Sequence, residues 1–234
     1  MIRYFILLLS IFICSKLLFL EQLDLIDPTE SRYAAVAQNM VNLNDWITPR
    51  LPDSGSDIAY LGKPPLHFWL TAASYELFGV DEWTSRLPSL LGAILILIMI
   101  FLFAKKLFGP ANAIRASVIL ASSGIFFFIA GASVTDMTLN ATVTGAIVSF
   151  YIWTQTKQRS LAYLGSIFLA LALLTKGPVA VVLVALPFAL AKLILREKIN
   201  FSSFPWVSSI ILFLAIVSPW FILNEIKNPG FLKY

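Results

Sequence analysis

The chain has 234 residues, of which 59% are apolar and 13% charged, and carries a formal charge of +4. That charged share is about half the usual one, which excludes an ordinary soluble globule. The single cysteine, Cys14, leaves no disulfide framework or cysteine-based metal site, and 19 phenylalanines with 6 tryptophans suit membrane spans and aromatic belts better than a base-stacking surface, so nucleic acid is not expected as a partner.

Runs long enough to cross a bilayer, which needs roughly 20 apolar residues, recur along the whole chain. They fall at about 2–20, 87–104, 111–131, 138–153, 161–174, 179–195 and 206–223, and the spacing predicts seven spans. The first reads as an uncleaved anchor, because its apolar stretch is longer than a signal-peptide core and no small-residue cleavage site precedes Glu21. Lys16, near its far end, is expected to snorkel to the interface.

Seven crossings place Arg3, Lys105, Lys106, Arg115, Lys157, Arg159, Lys192, Arg196 and Lys198 on one face with a single acid, Glu197. The remaining 12 of the 13 acids take the opposite face. Basic loops mark the cytoplasm, so the N-terminus is expected there and the 21–86 segment on the exoplasmic side.

That segment is too long for a passive connection and is the expected seat of function. Tyr33, Val36, Ala37, Met40 and Val41 recur at i, i+3, i+4, i+7 and i+8, the stripe of a surface helix. Residues 42–63 lack a helical period and contain Pro49, Pro52 and Gly55, which predicts an irregular loop. Pro64 and Pro65 then open a second helix, with Leu66, Trp69, Leu70, Ala73 and Leu77 on its apolar face and Gly79 at its C-terminus.

Charged residues with chemical potential are few. Asp27, Pro28 and Glu30 read first as a capping box, and, without excluding it, as carboxylates able to accept a proton at the membrane surface, with Arg32 beside them to hold an anion. Lys63 precedes a helix N-terminus, where its ammonium and the unpaired N–H groups favour phosphate, although a solvated lysine would look the same. Arg86 reads as a span anchor or a ligand contact.

Asp136 interrupts two apolar runs at an exoplasmic turn, and an acid in that setting is suspected of function. Lys176, before Gly177 and Pro178, interrupts two more, either pairing with Asp136 or adding positive charge to a site. His67, among aromatics, reads as interfacial filler. Metal-ligand spacing, a glycine-rich phosphate loop and a nucleophile elbow are all missing, so neither metal nor cofactor is expected.

The stretches DPTESRYAAVAQNM, DWITPRL, GKPPLHFWLTAASYELFGVDEWTSRLPSLLGA, TDMTL, LALLTKGPV and PWFI followed by NPGFL occur in an order that resembles the lipid-linked-sugar glycosyltransferases of the GT-C class, the ArnT-like and protein O-mannosyltransferase-like group. The resemblance implies an all-α polytopic membrane fold, a GT-C-like helical bundle whose large first exoplasmic loop carries two surface helices, here in a single transmembrane domain over 1–234. It also implies transfer of a sugar from a polyprenyl-phosphate donor to a lipid A, protein or polysaccharide acceptor at the outer face of the inner membrane, among membrane lipids. Carried over by motif, Glu30 and Asp27 become catalytic candidates, Asp136 a further acidic site residue, and Arg32, Lys63, Lys176 and Arg86 phosphate contacts.

Two departures bear on that transfer. Many members of the group have an Asp-Glu pair where this chain has Thr29-Glu30, and some have a metal-binding glutamate where Gly62 precedes Lys63. Members of the group run to roughly twice this length, so an N-terminal portion of such an enzyme is expected, as a fragment or a truncated product. An inactive scaffold binding lipid phosphate, and less readily a transporter or flippase, are the rival readings.

Overall fold

The computed structural model describes residues 2–20, 22, 24–26, 28–52, 58–194 and 201–233, and helices run through each long apolar segment. Backbone polar groups facing hydrocarbon are satisfied only inside a helix or a closed barrel, so runs this apolar have little alternative. In chain order the helices are α1 (Ile2–Leu20), α2 (Thr29–Leu43), α3 (Leu66–Phe78), α4 (Glu82–Ser122), α5 (Gly124–Ile129), α6 (Thr135–Thr156), α7 (Arg159–Lys176), α8 (Val179–Leu193) and α9 (Trp206–Lys227). An antiparallel pair, β1 (Arg50–Leu51) and β2 (Ile58–Ala59), lies between α2 and α3, with Arg50 opposite Ala59. Among the described residues, α4, α7 and α9 are long and apolar enough to cross a membrane by length and composition, and α8 is a shorter apolar helix. The fold is that of an all-α polytopic membrane protein.

Two compact units divide the chain. The first comprises Met1–Tyr60 with His67–Ala141, the second Leu61–Leu66 with Thr142–Tyr234.

In the first unit, α1 packs on α4 and α5 through aromatic rings. Phe5 stacks on Phe101 at 3.9 Å, and Phe12 meets Phe126 and Phe127 at 5.9 Å. Leu90, Ala93, Leu97 and Met137 continue this core. Gly92 packs closely there, since a Cβ at that position would stand 3.3 Å from Met137 Cγ.

The start of α4 is fixed by a cap that the hydropathy pattern does not reveal. Asp81 accepts the Glu82 N–H, and the Thr84 hydroxyl accepts the Asp81 N–H at 2.9 Å, so the helix begins at Glu82. Gly109 breaks α4 at φ 81°, a left-handed conformation that glycine adopts without a Cβ penalty, and Pro110 restarts it. The run expected as one span over 111–131 is interrupted again at Ser123, where the backbone becomes extended before α5. Ser122, Ser123 and Gly124 supply little helix propensity against that break.

The two expected surface helices form, with different outcomes for their faces. In α2, Tyr33, Val36, Ala37 and Met40 are buried as their spacing requires. In α3 the apolar stripe is not the buried one: Leu70 and Leu77 are exposed, whereas His67, Phe68, Thr71, Ala72, Ser74 and Tyr75 turn inward. A membrane protein can leave apolar side chains outside and collect hydrogen-bonding groups within, which inverts the amphipathic rule.

The 42–63 segment is more ordered than its composition suggests. Asp45 Oδ1 accepts the Ile47 and Thr48 N–H groups, Tyr60 donates its N–H to Pro49 O at 2.7 Å, and Trp69 Nε1 donates to Trp46 O at 2.6 Å. These bonds and the β1–β2 pair seat Trp46, Leu51 and Tyr60 on the α2–α3 core.

The second unit is held by a reciprocal interlock of glycines and rings. A Cβ on Gly145 of α6 would lie 2.7 Å from the Phe168 ring of α7, and a Cβ on Gly165 of α7 would lie 2.5 Å from the Phe150 ring of α6. Small residues let membrane helices approach in this way. Trp153, fully buried, stacks on Phe201 and meets Phe204 edge-on at 4.8 Å, while Lys157 Nζ sits 4.4 Å above the Trp153 ring. A cavity of about 620 Å³ lies among α6, α7, α8 and α9, apolar apart from Ser166, Ser209 and Lys192. The basic residues Arg196 and Lys198, and Glu197 with them, lie outside the described residues.

Candidate active site

The N-terminus of α2 was expected to carry a capping box from Asp27 to Glu30. Asp27 lies outside the described residues, the residue before α2 is Pro28, and no side-chain cap bond forms there. Glu30 is drawn elsewhere. Its carboxylate accepts the Ile26 N–H at 3.0 Å, the Ser133 N–H at 2.5 Å, and two bonds from Arg86: Nε to Oε1 and Nη2 to Oε2, each at 3.3 Å.

Arg86 projects from the second turn of α4. Beyond the fork on Glu30, its Nη1 donates to Leu20 O at 2.6 Å and its Nη2 to Asp24 O at 3.0 Å. Leu20 is the last residue of α1, whose terminal carbonyl lacks an intrahelical partner. Glu30 is 4% exposed and Arg86 2%, so this is a buried ion pair with its remaining hydrogen-bonding capacity satisfied by backbone. It joins the end of α1, the start of α2, α4 and the turn before α6.

This geometry bears on what each residue can do. A carboxylate offers about four lone-pair directions, and four donors already meet those of Glu30. Arg86 likewise gives four of its five N–H groups to partners inside the protein. Both tie the loop to the helices beneath it through these bonds.

Ser133 on Glu30 brings the turn containing Asp136 to the same anchor. Asp136 occupies the first turn of α6, half-buried. Two residues further on, Thr138 Oγ1 lies 3.0 Å from Nδ1 of the fully buried His67, tying α3 to α6. His67 is therefore a core hydrogen-bonding residue, not interfacial filler. Arg32 is exposed on α2. In the second unit, Lys63 is half-buried in the bend before α3, and Lys176 is half-buried at the end of α7, where Gly177 turns the chain at φ 73°.

Lys16 was the residue that sequence reasoning missed. It is 7% exposed, with Nζ 3.5 Å from the centroid of the Phe127 ring. Together with Glu30 and Arg86 it lines a cavity of about 240 Å³. The available signal was an ionisable side chain inside an apolar run.

Residues 62–223 match the dolichyl-phosphate-mannose-protein mannosyltransferase family, and the chain belongs to that family. The undecaprenyl phosphate-alpha-4-amino-4-deoxy-L-arabinose arabinosyl transferase of Aeromonas hydrophila is 30% identical over 231 residues, covering 95% of this chain and 41% of that protein. The corresponding transferase 1 of Proteus mirabilis is 31% identical over 224 residues, covering 92% and 39%. Among solved structures, ArnT from Cupriavidus metallidurans in the apo state aligns with a TM-score of 0.86 at 26% identity, over 97% of this chain and 42% of the other. The same protein bound to undecaprenyl phosphate aligns with a TM-score of 0.81. The chain thus spans about two fifths of the length of the relatives it matches.

Proposed function

We propose that the chain is the N-terminal, loop-bearing part of a membrane glycosyltransferase that moves a sugar from a polyprenyl-phosphate donor to an acceptor hydroxyl of lipid A, a protein or a polysaccharide. The observation that carries this reading is the likeness of 97% of the chain to ArnT, which includes a state bound to undecaprenyl phosphate. In this reading the protein crosses the inner membrane seven times, with its N-terminus cytoplasmic and 21–86 on the outer side, as the asymmetry of basic residues suggests.

In the reaction, an acceptor oxygen forms a bond to the anomeric carbon while the bond from that carbon to the phosphate oxygen breaks. The acceptor's proton passes to a carboxylate, and polyprenyl phosphate leaves with the bonding electrons. Asp136 and Asp27 are the carboxylates we assign to proton acceptance, because the lone pairs of Glu30 are committed to four donors. Arg32, Lys63 and Lys176 are assigned to the leaving phosphate, whose charge needs cationic partners most in the transition state. Arg86 is assigned to positioning Glu30.

Membranes containing the full chain, supplied with polyprenyl phosphate carrying a radiolabelled sugar, should pass label to an endogenous acceptor, and Lys63→Ala with Asp136→Asn should abolish the transfer. No transfer by the wild type together with retained donor binding would instead establish the scaffold reading.

A further inference from the structure

Lys16 lies four residues before the end of α1, about 6 Å along the helix axis. Its ammonium faces the 240 Å³ cavity bounded by α1, α4 and the α5–α6 turn, with Leu20, Phe127, Gly131 and Ala132 among the walls. Among the described residues, three charges line that cavity. Glu30 and Arg86 neutralise one another at 3.3 Å, which leaves the positive charge of Lys16 in excess. Among the described residues, no carboxylate stands within ion-pair distance of Lys16, and its close partner is the face of Phe127.

The surrounding chain is shaped to admit this ammonium. A Cβ at position 131 would stand 3.1 Å from Lys16 Nζ, so Gly131 leaves the space that the charge occupies. Ile26 and Phe128, at the margin of the cavity, are exposed, so a ligand can enter from the loop end of α1. The volume equals about eight waters at roughly 30 Å³ each, which suffices for a phosphate group with its ester oxygens. A desolvated cation inside an apolar run is costly unless an anion joins it, and a ring face offsets only part of that cost.

We infer that this cavity is an anion site in which Lys16 holds a phosphate, either the phosphodiester of an anionic membrane lipid or free phosphate, independently of sugar transfer. Arg86 adds mainly field, since four of its five N–H groups are given to Glu30, Leu20 and Asp24.

The test uses the full chain in phosphatidylcholine nanodiscs, titrated in one arm with phosphatidylglycerol and in the other with inorganic phosphate. Thermal melting and native mass spectrometry of retained lipid are the readouts. A rise in melting temperature with either anion is expected for the wild type, following binding to the folded state. A response to phosphatidylglycerol alone assigns the site to a lipid headgroup, and a response to both assigns it to phosphate in general. Lys16→Met should bind the anion about tenfold more weakly, having lost a charge-assisted contact. This variant removes an uncompensated buried charge, so in phosphatidylcholine alone it should melt no lower than the wild type. Gly131→Ala, which keeps the charge but crowds it, should also weaken binding. A wild type indifferent to both anions, or a Lys16→Met variant that responds as the wild type does, overturns the inference.

Discussion

The Arg86 guanidinium and the Glu30 carboxylate meet through two hydrogen bonds of 3.3 Å, joining helices whose contact residues are 56 positions apart in sequence. Both side chains are buried, so removing one strands the other without water. Arg86→Gln should destabilise the protein by about 3–5 kcal/mol, and Arg86→Lys should not rescue it, because an ammonium cannot reproduce the planar fork. Glu30→Met with Arg86→Met should cost less than the sum of the two single changes. Chemical denaturation in detergent, arranged as a double-mutant cycle, measures the difference.

The interlock of Gly145 with Phe168 and Gly165 with Phe150 leaves no space for a methyl group. Gly165→Ala should lower stability by about 1–3 kcal/mol, the usual cost of overpacking, and Phe150→Leu should restore part of it. Gly62→Ala is the control, since nothing lies within 4 Å of its Cβ position. Melting temperatures of Gly165→Ala, of Gly165→Ala with Phe150→Leu and of Gly62→Ala, each against the wild type, decide the matter.

Thr138→Val keeps the shape of the side chain and removes the hydroxyl that His67 Nδ1 meets at 3.0 Å. A loss of about 1–3 kcal/mol is expected, because the buried imidazole forfeits this bond, whereas Thr138→Ser should lie near the wild type. Equal melting of Thr138→Val and wild type would remove the bond from the account of how α3 docks on α6.

Tyr75 is buried on the inner face of α3, its hydroxyl 2.5 Å from Ser85 Oγ. Burial pushes its phenol above the ordinary value of 10.0. The folded state therefore keeps the proton at a pH where the unfolded chain has released it, so this contribution to stability is present below pH 10.0 and declines as the pH rises beyond it. The melting temperature of the wild type should fall more steeply above that pH than that of Tyr75→Phe.

If the assigned roles hold, Glu30→Gln and Asp136→Asn fail differently. Glu30→Gln should lower the melting temperature, and its transfer rate should follow the fraction of folded protein. Asp136→Asn should lose about 100-fold or more in transfer rate per folded molecule, the scale of a missing general base. Folded Glu30→Gln with a rate as low as that of Asp136→Asn would return Glu30 to the reacting centre.

Much of the helical architecture is legible in the sequence, because membrane helices announce themselves by long apolar runs, and Gly109 and Pro110 sit near the predicted boundary between two of them. The stripe of Tyr33, Val36, Ala37 and Met40 is equally readable, since it packs against protein. The face of α3 is not readable by the same rule: the apolar side of that helix stays exposed and its polar side turns inward. Lys16 and Arg86 resemble ordinary membrane anchors in a linear string. Their buried positions depend on partners such as Leu20, Phe127 and Glu30, which no periodicity brings together. Ser133 contributes through its backbone N–H, a donor that any residue except proline would supply, so the sequence holds no trace of that bond.

The first turn of α2 sets two neighbouring positions under opposite demands. Glu30 is sealed beneath the loop, while Thr29, one residue earlier, is exposed. A change at 30 must answer to the architecture, whereas a change at 29 is free to alter only what the solvent side encounters. Within one turn the chain thus separates a fixed cornerstone from an adjustable tip.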